Sequence, residues 1–342
     1  MTSDPFDGTT YCTARANAEC DQANRCDPSI IDWSFGSLAR CKSAQRALCL
    51  AEDAPFLSAL IGQSVIFSQA QYATCMSEIT GLACGAAPGL SAACDAMFRG
   101  ARNQNAGCAA SIQCADGLFC SGLATGVTCG SCQPTLNLGS VCTYHSACGP
   151  SARCIAATAG ATSGTCQALS DLYKPAGQVC NTQNGPACQG YLVCSGATAS
   201  NPAGTCTAIE LLAGGAACSA TSDIQRCISG QQCVVPTAGD AAGTCTALPG
   251  SGTACDLDRG VFLCADPYYC SAWETNGVTA GTCNARKTAG GSCTAAETAW
   301  AGNGYKMGFL ACYPDLYCDP DAAGTNYTCT APQAPAALPA CP

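Results

Sequence analysis

The residues best suited to chemistry are cysteines, and two of them, Cys129 and Cys132, have the Cys-x-x-Cys spacing of thiol–disulfide exchange. Exchange of that kind needs a thiolate of lowered pKa, usually at a helix N-terminus. The surrounding sequence is turn-rich and has no strand-then-helix pattern, so a structural role is expected for both. His145, the only histidine, lies three residues before Cys148. A cysteine nucleophile with a histidine base would need that kind of proximity, but Cys148 belongs to a regular cysteine pattern and is expected to be oxidised. No Gly-x-Ser-x-Gly motif is present, and no catalytic residue is assigned. Asp315, Asp319 and Asp321, and separately Asp256 and Asp258, could offer oxygen to calcium, but neither group has EF-hand spacing and both read as solvated turn aspartates. Clustered zinc sites would call for several Cys-x-x-Cys pairs with histidines, so neither metal nor cofactor is expected. Asn326-Tyr327-Thr328 is a glycosylation sequon, which has no force if the source is bacterial.

Cysteine accounts for 34 of the 342 residues, an even number, which forces no free thiol. So many cysteines imply a disulfide scaffold matured outside the reducing cytosol, with an extracellular or outer-surface location. The start, Met1 to Asp7, has neither a basic segment nor an apolar one, so an export signal is expected to have been removed. The net charge is −9 with only 11% charged residues, which argues against nucleic acid as a partner. No stretch is apolar for the 18 to 20 residues that a bilayer requires; the best, Phe56 to Phe67, is broken by Ser58, Gly62, Gln63 and Ser64.

Positioning of these residues falls to two kinds of segment. Residues 1–104 read as a helical, disulfide-bonded head. Cys12 and Cys20 are eight apart, as are Cys41 and Cys49, so each pair shares a helix face. Bridges Cys20–Cys49 and Cys26–Cys41 would close a helical hairpin around Trp33 and Phe35. Further helices are expected over 68–82 and 90–98. From Cys108 a four-cysteine unit, C1 to C4, recurs six times, with first cysteines 34 to 38 residues apart and always five residues between C2 and C3. The units occupy 105–138, 139–176, 177–214, 215–251, 252–289 and 290–342. Gly-x-x-Cys introduces C1 in five of them, and Gly-Thr-Cys or Gly-Ser-Cys ends five at C4. A short two-stranded hairpin from C3 to C4 is expected, in an extended array. Leu136, Leu169, Ile209 and Leu248 are available to pack neighbouring units together.

Four cysteines allow three pairings. The hairpin suits C1 to C3 and C2 to C4: Cys108–Cys120 with Cys114–Cys132, Cys142–Cys154 with Cys148–Cys166, Cys180–Cys194 with Cys188–Cys206, Cys218–Cys233 with Cys227–Cys245, Cys255–Cys270 with Cys264–Cys283, and Cys293–Cys318 with Cys312–Cys329. Cys129 and Cys341 fall outside this scheme. A bridge between them would be awkward along an extended array but easy between successive chains of a polymer; a local bridge or a rearranged sixth unit is the other reading. The sixth unit departs from the pattern, with 18 residues between Cys293 and Cys312.

The head motifs Tyr11-Cys12, Ala18-Glu19-Cys20, Arg25-Cys26-Asp27, Phe35-Gly36-Ser37 and Ala93 to Gly100 resemble those of cysteine-rich secreted proteins and lipoproteins of myxobacteria. The repeat, as in Cys108 to Cys120, resembles the Dickkopf N-terminal cysteine-rich region. The resemblance implies architecture and carries no function with it. The sequence-level expectation is a small disulfide-rich, non-enzymatic extracellular structural protein, a cell-surface or fibre subunit that associates with itself. The alternative is a monomeric secreted binding protein, an adhesin for glycan or protein or a protease inhibitor, using Tyr268, Tyr269, Trp273 and Trp300 as contacts.

Overall fold

A computed structural model describes residues 3–86, 92–123, 127–156, 162–183, 185–198, 200–274, 278–293, 312–313, 316–320, 326–332 and 341. The N-terminal segment forms α1 (Gly8–Cys26), α2 (Pro28–Phe35), α3 (Leu38–Leu48), a π-helical turn (Cys49–Asp53), α4 (Ala54–Leu60), β1 (Val65–Phe67), α5 (Gln69–Gly81), α6 (Ala92–Ala96) and β2 (Phe98–Gly100). Start and stop signals are local. Asp27 accepts from the Ser29 amide to begin α2, Gly36 ends it at φ 82°, and Ser37 accepts from the Arg40 amide to begin α3. The helix expected over 68–82 is α5, capped by Ser68. That expected over 90–98 is the shorter α6, because the chain turns extended and β2 pairs antiparallel with β1, Val65 opposite Gly100.

The chain divides into two compact units, and the division does not fall at residue 104. One unit holds Met1–Tyr11, Glu52–Cys206 and Ala334–Pro342; the other holds Cys12–Ala51 and Thr207–Gln333. In the first, Phe6, Tyr11, Phe67, Tyr72 and Phe98 form an aromatic core with ring centroids 5.2 to 6.4 Å apart. The Tyr72 hydroxyl donates to the Tyr11 carbonyl at 2.8 Å. Repeats are hydrogen-bonded to the N-terminal segment of this unit: the buried Gln113 amide donates to Ser64 Oγ at 3.0 Å, and the Tyr191 amide donates to the Cys84 carbonyl at 2.8 Å. The expected helical N-terminal part and short hairpin sheets are both present, and within this unit they pack against each other. Repeat cores are largely cysteine, as in Cys108, Cys114, Cys120 and Cys132, and too small to satisfy a domain alone.

In the second unit the head bridges are Cys12–Cys49 and Cys20–Cys41, in place of the expected Cys20–Cys49 and Cys26–Cys41. Antiparallel α1 and α3 present the eight-residue pairs as a ladder, whereas Cys26, six residues beyond Cys20, lies about 120° further around α1. Cys26 and Cys84 are disulfide-bonded too, and all 34 cysteines are oxidised.

Each repeat builds the same sheet, and it has three strands where two were expected. The strand at C4 is central, with C1 on one side and C3 on the other in all six. In every repeat C1 is bonded to C3 and C2 to C4. The sixth keeps this order, with Cys293 opposite Tyr327 and Cys318 opposite Cys329, despite its long insertion. The bridges close loops spanning 12 to 25 residues, each contributing on the order of 3 kcal/mol by restricting the unfolded chain.

Two glycine positions explain the motifs. The residue three before C1 donates its amide to the C4 carbonyl at 2.8 to 2.9 Å in all six repeats. It adopts positive φ each time: Gly139 83°, Gly177 82°, Gly215 77°, Gly252 69° and Gly290 82°. In the first repeat that place is taken by Asn105 at 68°, the one non-glycine residue of positive φ among the described residues. The second glycine, two before C4, faces C1. At Gly130, Gly204 and Gly243 a Cβ would lie 3.0 to 3.1 Å from the C3 sulfur and 2.1 to 2.6 Å from a carbonyl of the next strand. In these repeats the C1–C3 bridge thus crosses the central strand where there is no side chain.

No atom lies within 4 Å of a Cβ added at Gly177, so its replacement isolates backbone strain. Gly177→Ala is expected to cost about 1–2 kcal/mol, and Asn105→Gly to gain up to about 1 kcal/mol. Denaturant midpoints of the two variants, moving in opposite directions, would check both.

Candidate binding cleft

Helix α2 is short, and its two faces do different work. Ile31 and Phe35 are buried inward, while Ile30 and Trp33 are 39% and 36% exposed. Asp32, between them, is only 2% exposed. It receives the turn before C3 of the fourth repeat: the Gly230 amide donates to Oδ2 at 2.8 Å and the Ser229 hydroxyl to Oδ1 at 3.1 Å. The fifth repeat closes the other side. The Phe262 ring lies 5.6 Å from Trp33, and Leu263 is held through its amide and carbonyl by the buried Gln232 side chain at 3.1 and 3.2 Å. Leu248 and Leu263 form a small core beneath, so the linker leucine packs repeats four and five together. Leu136 does the same beside Phe119 for repeats one and two.

These elements line a half-open cleft of about 550 Å³, among others with Asp32, Trp33, Gln225, Arg226, Gln231 and Phe262. That size and a mostly apolar wall with a few polar groups are what a small-ligand site requires. No family model matches the chain, and no curated protein or solved structure is similar to it. The reading of the cleft therefore rests on its own chemistry.

Burial pushes the Asp32 carboxyl up from its ordinary 3.8 to about 6, with the Asp27 charge adding and the Gly230 and Ser229 hydrogen bonds opposing. The folded state thus holds this proton more tightly than the unfolded chain does. Stability from Asp32 is fully present below about pH 4 and is lost as pH rises through about 6, by up to about 3 kcal/mol. Urea unfolding between pH 4 and 7 is expected to show that decline, and Asp32→Asn is expected to flatten it. An unchanged slope in the variant would assign the pH dependence elsewhere.

A second polar cluster in the same unit is structural. Asp266 lies 3.6 Å from Arg40 and accepts from Ser37 Oγ at 3.2 Å, and Arg40 stands 4.4 Å over the Tyr313 ring. Burial lowers the Arg286 guanidinium to about 10, opposed by Asp266, and its Nη1 donates to the Cys312 carbonyl at 3.4 Å. This cluster ties the start of α3 to the fifth and sixth repeats.

The residues singled out in the sequence lie elsewhere. Cys129 is bonded to Cys341 within the chain, not between chains. Cys132 is bonded to Cys114, so the Cys-x-x-Cys pair is not a dithiol. Exposed His145 opens a 3-10 turn that ends at Cys148, itself bonded to Cys166. The Asp256 side chain accepts from the Asp258 amide as a cap, while Asp315 and Asp321 lie outside the described residues. Tyr269 is 3% exposed, with Lys287 Nζ 5.8 Å from its ring, so it is core and not a contact. Tyr268 is half-buried against the fifth repeat's cysteines. Trp273 lies in the 3-10 turn Ser271–Glu274, and Trp300 lies outside the described residues. No helix among the described residues is long and apolar enough to cross a membrane.

Sequence reasoning passed over Asp32, Arg226 and Phe262. The available signal was the bracketing of 28–35 by Asp27-Pro28 and Gly36-Ser37, which leaves a two-turn helix with Ile30 and Trp33 on one face. Nothing in the local sequence says that Asp32 meets a turn 197 residues away.

Proposed function

We propose that this chain is a secreted, non-enzymatic binding protein in which disulfide-stapled repeats hold a ligand cleft against α2. The observation that carries the reading is the cavity itself, with Trp33 and Phe262 on its rim and the buried Asp32 in its wall. Full oxidation of 34 cysteines supports an extracellular location. The bridges suit that place because they resist unfolding and proteolysis. Kinship with the myxobacterial cysteine-rich proteins belongs to the same proposal and rests on the head and repeat motifs. Intrinsic tryptophan fluorescence during ligand screening tests the reading: a binder whose signal and affinity are lost in Trp33→Ala supports it. Binding that survives Trp33→Ala places the site elsewhere.

A structural role for the six tandem repeats, as a surface layer or filament of extended arrays, is the second reading. It is favoured by Val141 and Val179, 73% and 69% exposed on edge strands of the second and third repeats. The intrachain Cys129–Cys341 bridge removes the covalent link that such a polymer would have used. Ordered filaments in negative stain would favour this reading over the first.

A further inference from the structure

Charge placement in the cleft goes further than its shape. A carboxylate removed from water is ordinarily matched by a cation, because the desolvation cost is otherwise left standing. Asp32 is 2% exposed, yet its partners are two neutral donors, the Gly230 amide and the Ser229 hydroxyl. The other charge acting on it is Asp27, of the same sign. Among the described residues no lysine, arginine or histidine forms an ion pair with it. Arg226 also lines the cavity, but its Nη1 is held by the Gln225 and Ser222 carbonyls at 2.8 and 3.5 Å, and it does not figure among the charges on Asp32.

The same wall carries aromatic rings. Trp33, 36% exposed, and Phe262 stand with centroids 5.6 Å apart beside this carboxylate. Faces of aromatic rings attract cations, and the attraction grows when the site is dry. The chain's net charge of −9 adds a long-range pull of the same sign.

We propose that the cleft binds a small organic cation with an apolar body, an alkylammonium or quaternary ammonium compound, its charge facing Asp32 and its carbon surface against Trp33 and Phe262. This rests on the cleft being a ligand site and adds the ligand's charge. A neutral ligand of equal shape would fill the volume and leave Asp32 unmatched. A cation also favours the ionised carboxylate, so binding must strengthen as Asp32 loses its proton.

The test is calorimetry on the intact oxidised protein with two matched pairs: choline against 3,3-dimethylbutan-1-ol, and phenethylammonium against 2-phenylethanol. The expected result is at least tenfold tighter binding of each cation than of its neutral partner at pH 7, falling several-fold at pH 5. Asp32→Asn is expected to bring the ratio near one with neutral binding retained, and Trp33→Ala to weaken both members of a pair. Wild-type titration across pH keeps the test valid if Asp32→Asn fails to fold. Equal binding of both members of each pair, without pH dependence, would overturn the cation assignment and leave the cleft standing. Absence of binding by all four would overturn the cation assignment and count against the cleft together with it.

Discussion

Replacing Cys129 and Cys341 together with serine is expected to lower the free energy of unfolding by about 4–5 kcal/mol, the largest loss from any single bridge in the chain. This bridge spans 212 residues, whereas those within the repeats span 12 to 25. Ten of those smaller bridges lie inside the large loop and shorten it. The correction is small, because loop entropy depends on the logarithm of length and each halving removes only about 0.6 kcal/mol. The bridge also seats the C-terminal end on the first repeat, where the Arg102 guanidinium donates to the Gly107 carbonyl and, at 3.3 Å, to the Cys341 carbonyl. Guanidinium unfolding of the wild type and the double variant measures the loss. Peptide mapping without reductant should recover Cys129 and Cys341 linked in a protein that runs as a monomer. A loss below about 1 kcal/mol would sink the loop-closure account, and linked peptides found only in a reducible dimer would sink the intrachain assignment.

The reading that these two cysteines could join separate chains came from treating repeats as beads on an extended line, along which a bridge within the chain looked awkward. What the sequence shows well is whatever is decided within one repeat. The period, the turn glycines before C1 and the cap residues Asp27, Ser37 and Ser68 are all local, and local hydrogen bonds express them. Spacing left three pairings open inside the repeat. The choice depends on the third strand, which places C1 beside the glycine two before C4, and no spacing rule announces that strand. Asn105 was hidden for a different reason: asparagine tolerates the left-handed region well enough to replace glycine, so the motif breaks while the geometry persists. Another regularity is visible only in three dimensions. The residue six before C1 hydrogen-bonds beside C2 in each repeat, as the Ala115 amide does to the Arg102 carbonyl and the Gln189 amide to the Lys174 carbonyl, so each linker belongs to the repeat that follows it. The cleft was least legible, because Asp32, Gly230 and Phe262 come together through docking of whole elements. Tyr268, Tyr269, Trp273 and Trp300 drew attention by residue type, but type does not distinguish a rim aromatic such as Trp33 from a core one such as Tyr269.

Gly243→Ala is expected to destabilise the fourth repeat by about 3 kcal/mol and to yield scrambled disulfides, although it adds a single methyl group. A Cβ there would lie 2.6 Å from the Val234 carbonyl oxygen and 3.0 Å from Cys233 Sγ. Neither neighbour can yield cheaply. The carbonyl is fixed in the antiparallel pairing of Val234 with Thr244, and the sulfur is fixed in the bridge to Cys218, which crosses the strand at this point. The methyl therefore opposes both the sheet and the C1–C3 bond. Gly250→Ala is the control, since nothing lies within 4 Å of its added Cβ and its φ is not in the left-handed region. It should leave stability unchanged or raise it by up to about 1 kcal/mol. Oxidative refolding of both variants, followed by mapping of the Cys218–Cys233 pair, separates the steric account from a general sensitivity to losing glycine. The sixth repeat carries Tyr327 at the corresponding place, opposite Cys293, and still has the Cys293–Cys318 bridge. A side chain is therefore admissible where the sheet has formed around it. If Gly243→Ala refolds with native pairing and wild-type stability, the fourth repeat has the same latitude, and its glycine serves backbone freedom instead of clearance for sulfur.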